Sequence, residues 1–250
     1  MEVTLTDRWS FNNGPMVCNI DRVSSFQRAR SAEQREIRRR AILDAAAAML
    51  AEQPVAEVTL NELSRRAGLA KSNVLRYFDS REAVLLELLD AAWGEWLADL
   101  AVELPAAVDP DAPVAVRGEQ VAAALAGSVA HRPVLCDLAG AQAAVLERNV
   151  SVEVAARFKR AALGRIGELA ELVRGVVGEL DERSAEAFAA LATVTIGALW
   201  THSQPSAAML CAYAADPELA ALRLDFAEVT REALAIALAG LLASAHRPVS

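Results

Sequence analysis

From Ser31 onward the apolar residues recur at three- and four-residue steps, and almost nowhere do they alternate with period two. Ile37, Ala41, Ile42, Ala45, Ala48 and Met49 make one such stripe, ending before Pro54, and Ser31-Ala-Glu-Gln34 at its start reads as a capping box. Thr59-Leu-Asn-Glu62 is a second box, opening a short helix through Ala67, with Gly68 placed where a turn between helices needs positive φ. A further short helix is predicted from Lys71 to Phe78, and Ser80 caps a long one to Leu100. Pro105 to Pro113 reads as a loop, and Ala/Leu-rich helices follow over 114–131, 133–148, 151–179, 182–201, 206–214 and 218–243. Their breaks fall at Arg132-Pro133, Asn149, Asp181, Pro205 and Pro217. Residues 1–30 show no helical period and read as a flexible tail, with Met16 as an alternative start.

Composition sharpens this into an all-α protein. Apolar residues make up 54% of the 250, enough for a sizeable core, and aromatics only 5%, so that core is built mainly of Ala, Leu and Val. Cys18, Cys136 and Cys211 are too scattered for a disulfide scaffold, and no secretory signal opens the chain, so a cytoplasmic protein is expected. The longest apolar runs, Phe188 to Trp200 and Ala233 to Ala243, fall short of the about 20 residues that cross a bilayer, so no membrane partner is expected.

Charge is unevenly spread. Residues 28–81 carry 11 Lys and Arg against 7 Asp and Glu, whereas residues 82–250 carry 12 against 23. A basic segment joined to an acidic body suits nucleic-acid contact, which needs local positive charge. Thr59 to Phe78 lies inside that segment. On a helical wheel at about 100° per residue, Ser72, Asn73, Arg76 and Tyr77 share one arc and Val74, Leu75 and Phe78 the other. The apolar arc is expected to dock on Ile42, Ala45 and Leu63, leaving Ser72, Asn73 and Arg76 outward. Arg can bond guanine O6 and N7, Asn can bond adenine N6 and N7, and a major groove admits one helix. Thr59, Lys71 and Arg81 are the expected phosphate partners, from helix starts where the dipole favours an anion.

The run Thr59-Leu-Asn-Glu-Leu-Ser-Arg-Arg-Ala-Gly-Leu-Ala-Lys-Ser-Asn-Val-Leu-Arg-Tyr-Phe-Asp-Ser-Arg-Glu-Ala-Val-Leu85 resembles the helix-turn-helix signature of TetR/AcrR-type transcriptional regulators. Ala67-Gly68 at the turn, Tyr77-Phe78 closing the recognition helix and Ser80-Arg81-Glu82-Ala83 opening the fourth helix carry the likeness, which is close over about residues 35–90. Two positions depart from it. Ala70 stands where a Ser or Thr cap is usual, and Leu75 where a Tyr is common.

The resemblance implies a three-helix DNA-binding domain over residues 31–80 and a larger helical ligand-sensing and dimerisation domain over 81–250. The helices Glu182–Thr201 and Glu218–Ala243 would pair with their symmetry mates through Phe188, Leu191, Val194, Leu199, Leu234, Leu238, Leu241 and Leu242. A pocket would lie among the fourth, fifth, seventh and eighth helices, lined by Trp93, Trp96, Leu125, Phe158, Ile166 and Thr195 and suited, with little charge nearby, to a small and largely apolar ligand. The implied protein is a homodimeric repressor reading a near-palindromic operator on double-stranded DNA, with heads about 34–36 Å apart. Ligand would shift the helix from Ser80 to Leu100 and spoil that spacing. Two other readings stand beside it: a helical ligand-binding or enzymatic protein without DNA binding, and a dimeric DNA-binding protein without an effector.

No catalytic motif appears, nor a phosphate-binding loop or any other cofactor motif; Gly164 and Gly167 lie within a helical pattern. His131, Cys136 and Asp137 are close in sequence but match no zinc spacing, so no metal is expected. His202 reads as a helix-end residue.

Overall fold

The computed structural model describes the backbone of residues 20–245 and the side chains of residues 33–244. Among the described residues every regular element is helical. Helix α1 (Ile20–Glu52) begins well ahead of Ser31, so the part of the expected tail that is described is helical; the rest of it, residues 1–19, lies outside the described residues. The described residues up to Arg40 form one compact unit and those from Ala41 onward the other. Within this second unit α1 buries Ile42, Ala46, Met49 and Leu50, whereas Ala41 and Ala48 of the expected stripe are exposed. Ile37, in the first unit, is exposed as well.

A 3-10 turn (Val55–Glu57) leads to α2 (Leu60–Arg66) and α3 (Lys71–Val74). Regular helix stops at Val74, earlier than expected, but the chain stays coiled because Tyr77 and Phe78 both donate their N–H to the Val74 carbonyl, at 2.9 and 3.0 Å. The body continues as α4 (Arg81–Ala107), α5 (Val114–Ala130), α6 (Pro133–Ala141), a π-turn (Gln142–Leu146), α7 (Val152–Val176), α8 (Glu182–His202), α9 (Ala207–Ala215), α10 (Pro217–Ala220) and α11 (Phe226–Ala245). Ser80, Ser151, Asp181 and Ser206 each cap a helix by accepting from the backbone N–H three residues on.

Two expected boundaries move. Helix α4 runs through Pro105, which sits in its last turns, where few helical bonds remain to be lost. The helix expected over 218–243 breaks at residues 221–225, because Asp225 accepts from the Glu228 N–H at 3.0 Å and caps α11 afresh.

Helix α4 is the central member, burying ten residues from Ala83 to Leu104 and packing on α5, α6 and α7. Helix α8 packs on α6, α7 and α11, and α11 on α5. The crossing of α6 and α8 is close: a Cβ on Gly197 would stand 2.8 Å from the Ala139 carbonyl oxygen, and one on Gly140 2.5 Å from the Thr201 hydroxyl. Only glycine permits that approach.

The apolar run Phe188 to Trp200 lies within α8, a helix of 21 residues that is long and apolar enough to cross a membrane by length and composition alone. Its apolar residues are divided between two faces. Ala185, Phe188, Ala189, Ala192 and Ile196 are buried in the core, while Ala187, Leu191, Val194 and Ala198 form an exposed stripe at four- and three-residue steps. On α11 the outward residues are Ile236, Ala239, Gly240 and Ala243. Phe188, Leu234, Leu238 and Leu242, expected at a dimer face, instead fill the core, and Leu199 and Leu241 are half-buried.

Candidate nucleic-acid interface and ligand cavity

The recognition surface is assembled from two short helices, of which only the first has a side-chain cap. Thr59 accepts from the Glu62 N–H at 3.2 Å, giving α2 its start. Gly68 closes α2 at φ +65°, a conformation that suits glycine, and the Leu69 N–H returns to the Ser64 carbonyl at 2.9 Å. Helix α3 begins at Ala70 with no side-chain cap, the deficit expected from that residue. Val74 and Phe78 are buried beneath α3 against the cluster that includes Ile42 and Leu63, with Ala45 packed at its edge.

Lys71, Ser72 and Arg76 therefore face outward, and Asn73 and Tyr77 are half-buried. No hydrogen bond or ion pair among the described residues engages the side chains of Lys71 or Arg76. Leu75 does not join the buried arc; it is 42% exposed. Arg65 and Arg66 are committed elsewhere, both to Glu62, with Arg66 also reaching Glu52 at 2.6 Å. Their hydrogen bonds hold the Glu62 carboxyl down at about 2.

Arg81, expected on a phosphate, is turned inward. Its guanidinium donates to the Val58 carbonyl at 2.5 Å and pairs with Glu82 at 3.2 Å, fixing the start of α4 to the loop before α2.

In the body, α4, α6, the π-turn, α7 and α8 line a partly open cavity of about 520 Å³. Trp93, Phe158, Leu163, Ile166 and Val194 supply its apolar walls, and Ala139, Gly140, Ala143, Ala162, Ala190, Gly197 and Ala198 supply its room. Small side chains on four elements at once leave volume that larger ones would fill. Three expected lining residues, Trp93, Phe158 and Ile166, are in the wall. Trp96 is one layer back, edge-on to Trp93 at 5.3 Å, with its indole N–H on Ser128 Oγ at 2.9 Å. That contact seals α4 to α5, so Leu125 is core and α6 takes the place expected for the fifth helix. Thr195 is half-buried, but Thr193, two positions back and so nearly opposite on the helix, lines the cavity.

Charge is present in the wall, contrary to the expected scarcity. Asp90 accepts from Arg165 Nε at 3.0 Å, Lys159 pairs with Glu147 at 2.7 Å, and Gln142 donates to the same carboxylate at 2.7 Å. The Arg165 guanidinium lies over Gly94, where a Cβ would come within 2.9 Å of it. Burial opposes ionisation of Glu147, and the bonds from Lys159 and Gln142 outweigh it, holding the carboxyl below its ordinary value. Each of these charges is internally paired, so the free wall is apolar in effect.

Three contacts tie the DNA-binding head to the body. The buried Val55 donates its N–H to Asp137 Oδ2 of α6 at 2.6 Å. Ser151, the cap of α7, donates to Asp79 at 2.7 Å. Arg81 on α4 holds Val58.

The amino-terminal part of this arrangement, residues 42–88, matches the family model for bacterial regulatory proteins of the TetR family, and residues 90–245 match that for the tetracycline-repressor-like carboxy-terminal domain. The chain belongs to the TetR family of bacterial regulatory proteins. It is a helix-turn-helix transcriptional regulator and not an enzyme. The regulator EthR of Mycobacterium tuberculosis is 37% identical over 73 residues, 29% of this chain and 32% of EthR, and BetI of Rhizobium meliloti 31% over 74 residues, 30% of this chain and 36% of BetI. These alignments thus span about a third of each relative. A TetR regulator from Rhodococcus superposes with a TM-score of 0.51 at 15% identity, covering 85% of this chain and 97% of that one. The multidrug binding protein EbrR, solved with imidazole, gives 0.51 at 17% identity over 80% and 94%. At such identities the likeness is one of fold.

Within the TetR framework, the residue that sequence reasoning misses is Asp137. His131 Nδ1 lies 2.8 Å from the Gly127 carbonyl oxygen, and the Cys136 thiol is buried. No group of metal-binding side chains occurs among the described residues. Asp137 acts across 82 positions of sequence, and no local spacing signals such a partner.

Proposed function

We propose that this regulator is a cytoplasmic homodimeric repressor. Its two α3 surfaces read a near-palindromic operator in successive major grooves, and a small, largely apolar ligand in the cavity releases it. The observation that carries this reading is α6. One side of its length holds the head through Asp137, and Ala139 and Gly140, within a turn of it, line the cavity. A ligand that seats against Ala139 and Gly140 therefore bears directly on the support of the head. Helix α4 offers a parallel route, with Trp93 and Asp90 in the wall and its first residue at the head.

DNA contact falls to Lys71, Ser72, Asn73, Arg76 and Tyr77, with the Thr59 hydroxyl at the start of α2 for a phosphate. Leu75 adds an apolar tip able to meet a thymine methyl. Arg81 contributes by holding the loop that carries Thr59. The paired internal charges of the wall favour a neutral ligand with an apolar body, Gln142 and Thr193 being the polar groups that orient it. Pairing of the copies would use the outward stripes of α8 and α11.

Release requires that ligand favour the DNA-incompetent state, and DNA must then weaken ligand binding by the same factor. The test is a panel of apolar compounds followed by Trp fluorescence, with Trp93→Phe as control, and then by operator release. Compounds that perturb Trp93 should displace operator DNA. A compound that fills the cavity and leaves operator affinity unchanged would refute the ligand-released reading.

A further inference from the structure

We propose that the helical pair α9–α10 is an intersubunit arm, a segment that packs on a second copy of this chain instead of on its own core. The inference rests on the dimer reading and extends it. Helix α9 is Ala-Ala-Met-Leu-Cys-Ala-Tyr-Ala-Ala, apolar throughout, yet neither α9 nor α10 buries a single residue. Leu210, Cys211 and Ala214 are exposed on one face of α9 at three- and four-residue spacing, while Tyr213, away from that face, is half-buried, and Leu222, just past α10, is 64% exposed. A helix this short is marginal in water by itself and gains its stability from packing. An apolar helix with no buried residue thus requires a constant partner.

The position of the arm says which partner. It leaves the end of α8 at His202 and re-enters the chain at Phe226, where α11 starts. Trp200 and Phe226 meet edge-to-face at 5.1 Å, so both roots of the arm lie together. The exposed stripe of α8 ends close by: Ala198 is four residues before His202, about 6 Å at the helical rise. The arm is therefore continuous with the face of α8 and α11 on which a second copy would sit. Its charge argues against the other surfaces. No Lys or Arg occurs between Arg183 and Arg223, whereas anionic membranes and nucleic acids are held by such residues.

Cys211 on α9 is an exposed native thiol that reads this directly. Cys136 does not interfere, because burial, reinforced by the charge of Asp137, pushes its thiol up to about 12. The experiment takes full-length protein carrying Cys18→Ser through a dilution series, with the mass followed by sedimentation and the thiol by a colorimetric disulfide reagent. Cys211 should react about tenfold or more slowly in the dimer than in the dissociated chain, as access to the thiolate controls the rate. Leu222→Asp should raise the dimer dissociation constant, with Val116→Asp on α5 as the control that leaves it unchanged. A dimer in which Cys211 reacts as fast as in the monomer overturns the arm and leaves the dimer standing. Equal protection in the monomer also overturns it, since the arm would then be packed on its own chain. Protein that is monomeric at every concentration overturns the dimer reading itself.

Discussion

Replacing Asp137 by Ala removes the acceptor of the Val55 N–H while leaving α6 otherwise intact. A hydrogen bond to a charged acceptor is worth about 1.5–3 kcal/mol, and partial solvent access at Asp137 places this one near 1.5 kcal/mol, about tenfold in an equilibrium constant. That sets the ceiling on what the contact can transmit between cavity and head. The transmission can be read without knowing the ligand, by filling the cavity from within. Ala162 of α7 lines it, so Ala162→Phe places a ring where a ligand would lie. Operator affinity is then measured for the parent, each single variant and the double variant, with thermal melts confirming that all four are folded. Ala162→Phe should weaken operator binding, and Asp137→Ala should reduce that effect by up to about tenfold, with Asp137→Asn, which retains a neutral acceptor, lying between. Additivity within about 0.5 kcal/mol would refute the coupling through α6 and leave α4 as the route. An Ala162→Phe protein with unchanged operator affinity would refute the regulatory role of the cavity.

Arg76→Ala should cost about 1–3 kcal/mol on the preferred operator and flatten discrimination at one base position, whereas Lys71→Ala should weaken all duplexes alike and lower the salt slope by about one; competition binding at several salt concentrations separates the two. Gly68→Ala should destabilise the protein by about 1–2 kcal/mol in denaturant melts, since its φ of +65° strains any residue with a Cβ although nothing lies in the way. Glu62 should titrate near 2 when followed by carboxyl NMR; because that value lies below the ordinary 4.5, its stabilisation of α2 is complete above about 4.5 and lost as pH falls toward 2, and Glu62→Gln should remove this acid dependence. Leu191→Asp, at a site 49% exposed on the outward stripe of α8, should leave the monomer folded and raise the dimer dissociation constant at least tenfold, read by sedimentation.

Legible in the sequence was whatever local chemistry determines. Thr59, Ser80, Ser151 and Ser206 announce their helices because a cap acts on an amide three residues away, and Gly68 announces its turn because few residues tolerate that φ. The same logic fails where a long apolar run hides a cap: Asp225-Phe-Ala-Glu228 lies inside a stretch that reads as one helix. The orientation of Leu75 is lost because α3 leaves regular helix at Val74, although Arg76 and Phe78 beyond it still fall outward and inward as the wheel gives them. Arg81 shows the limit for charged side chains. Its position at a helix start is visible in sequence, but the Val58 carbonyl that captures it is not. The cavity is half legible, since periodicity gives the buried face of each helix but not which helices meet. The roles of Leu125 and Asp137 come from the contact of α5 with α4 and of α6 with the head, both long-range facts.

Operator reading by paired α3 surfaces is tested best by selecting preferred sequences from random duplexes with the full-length protein, then footprinting the winners and determining the bound mass. A near-palindromic site should emerge, with half-sites about one helical turn (34–36 Å) apart or a multiple of it, protected in adjacent major grooves by an even number of chains and lost on Arg76→Ala. Enrichment of no sequence, or protection of a single asymmetric half-site by one chain, would contradict it.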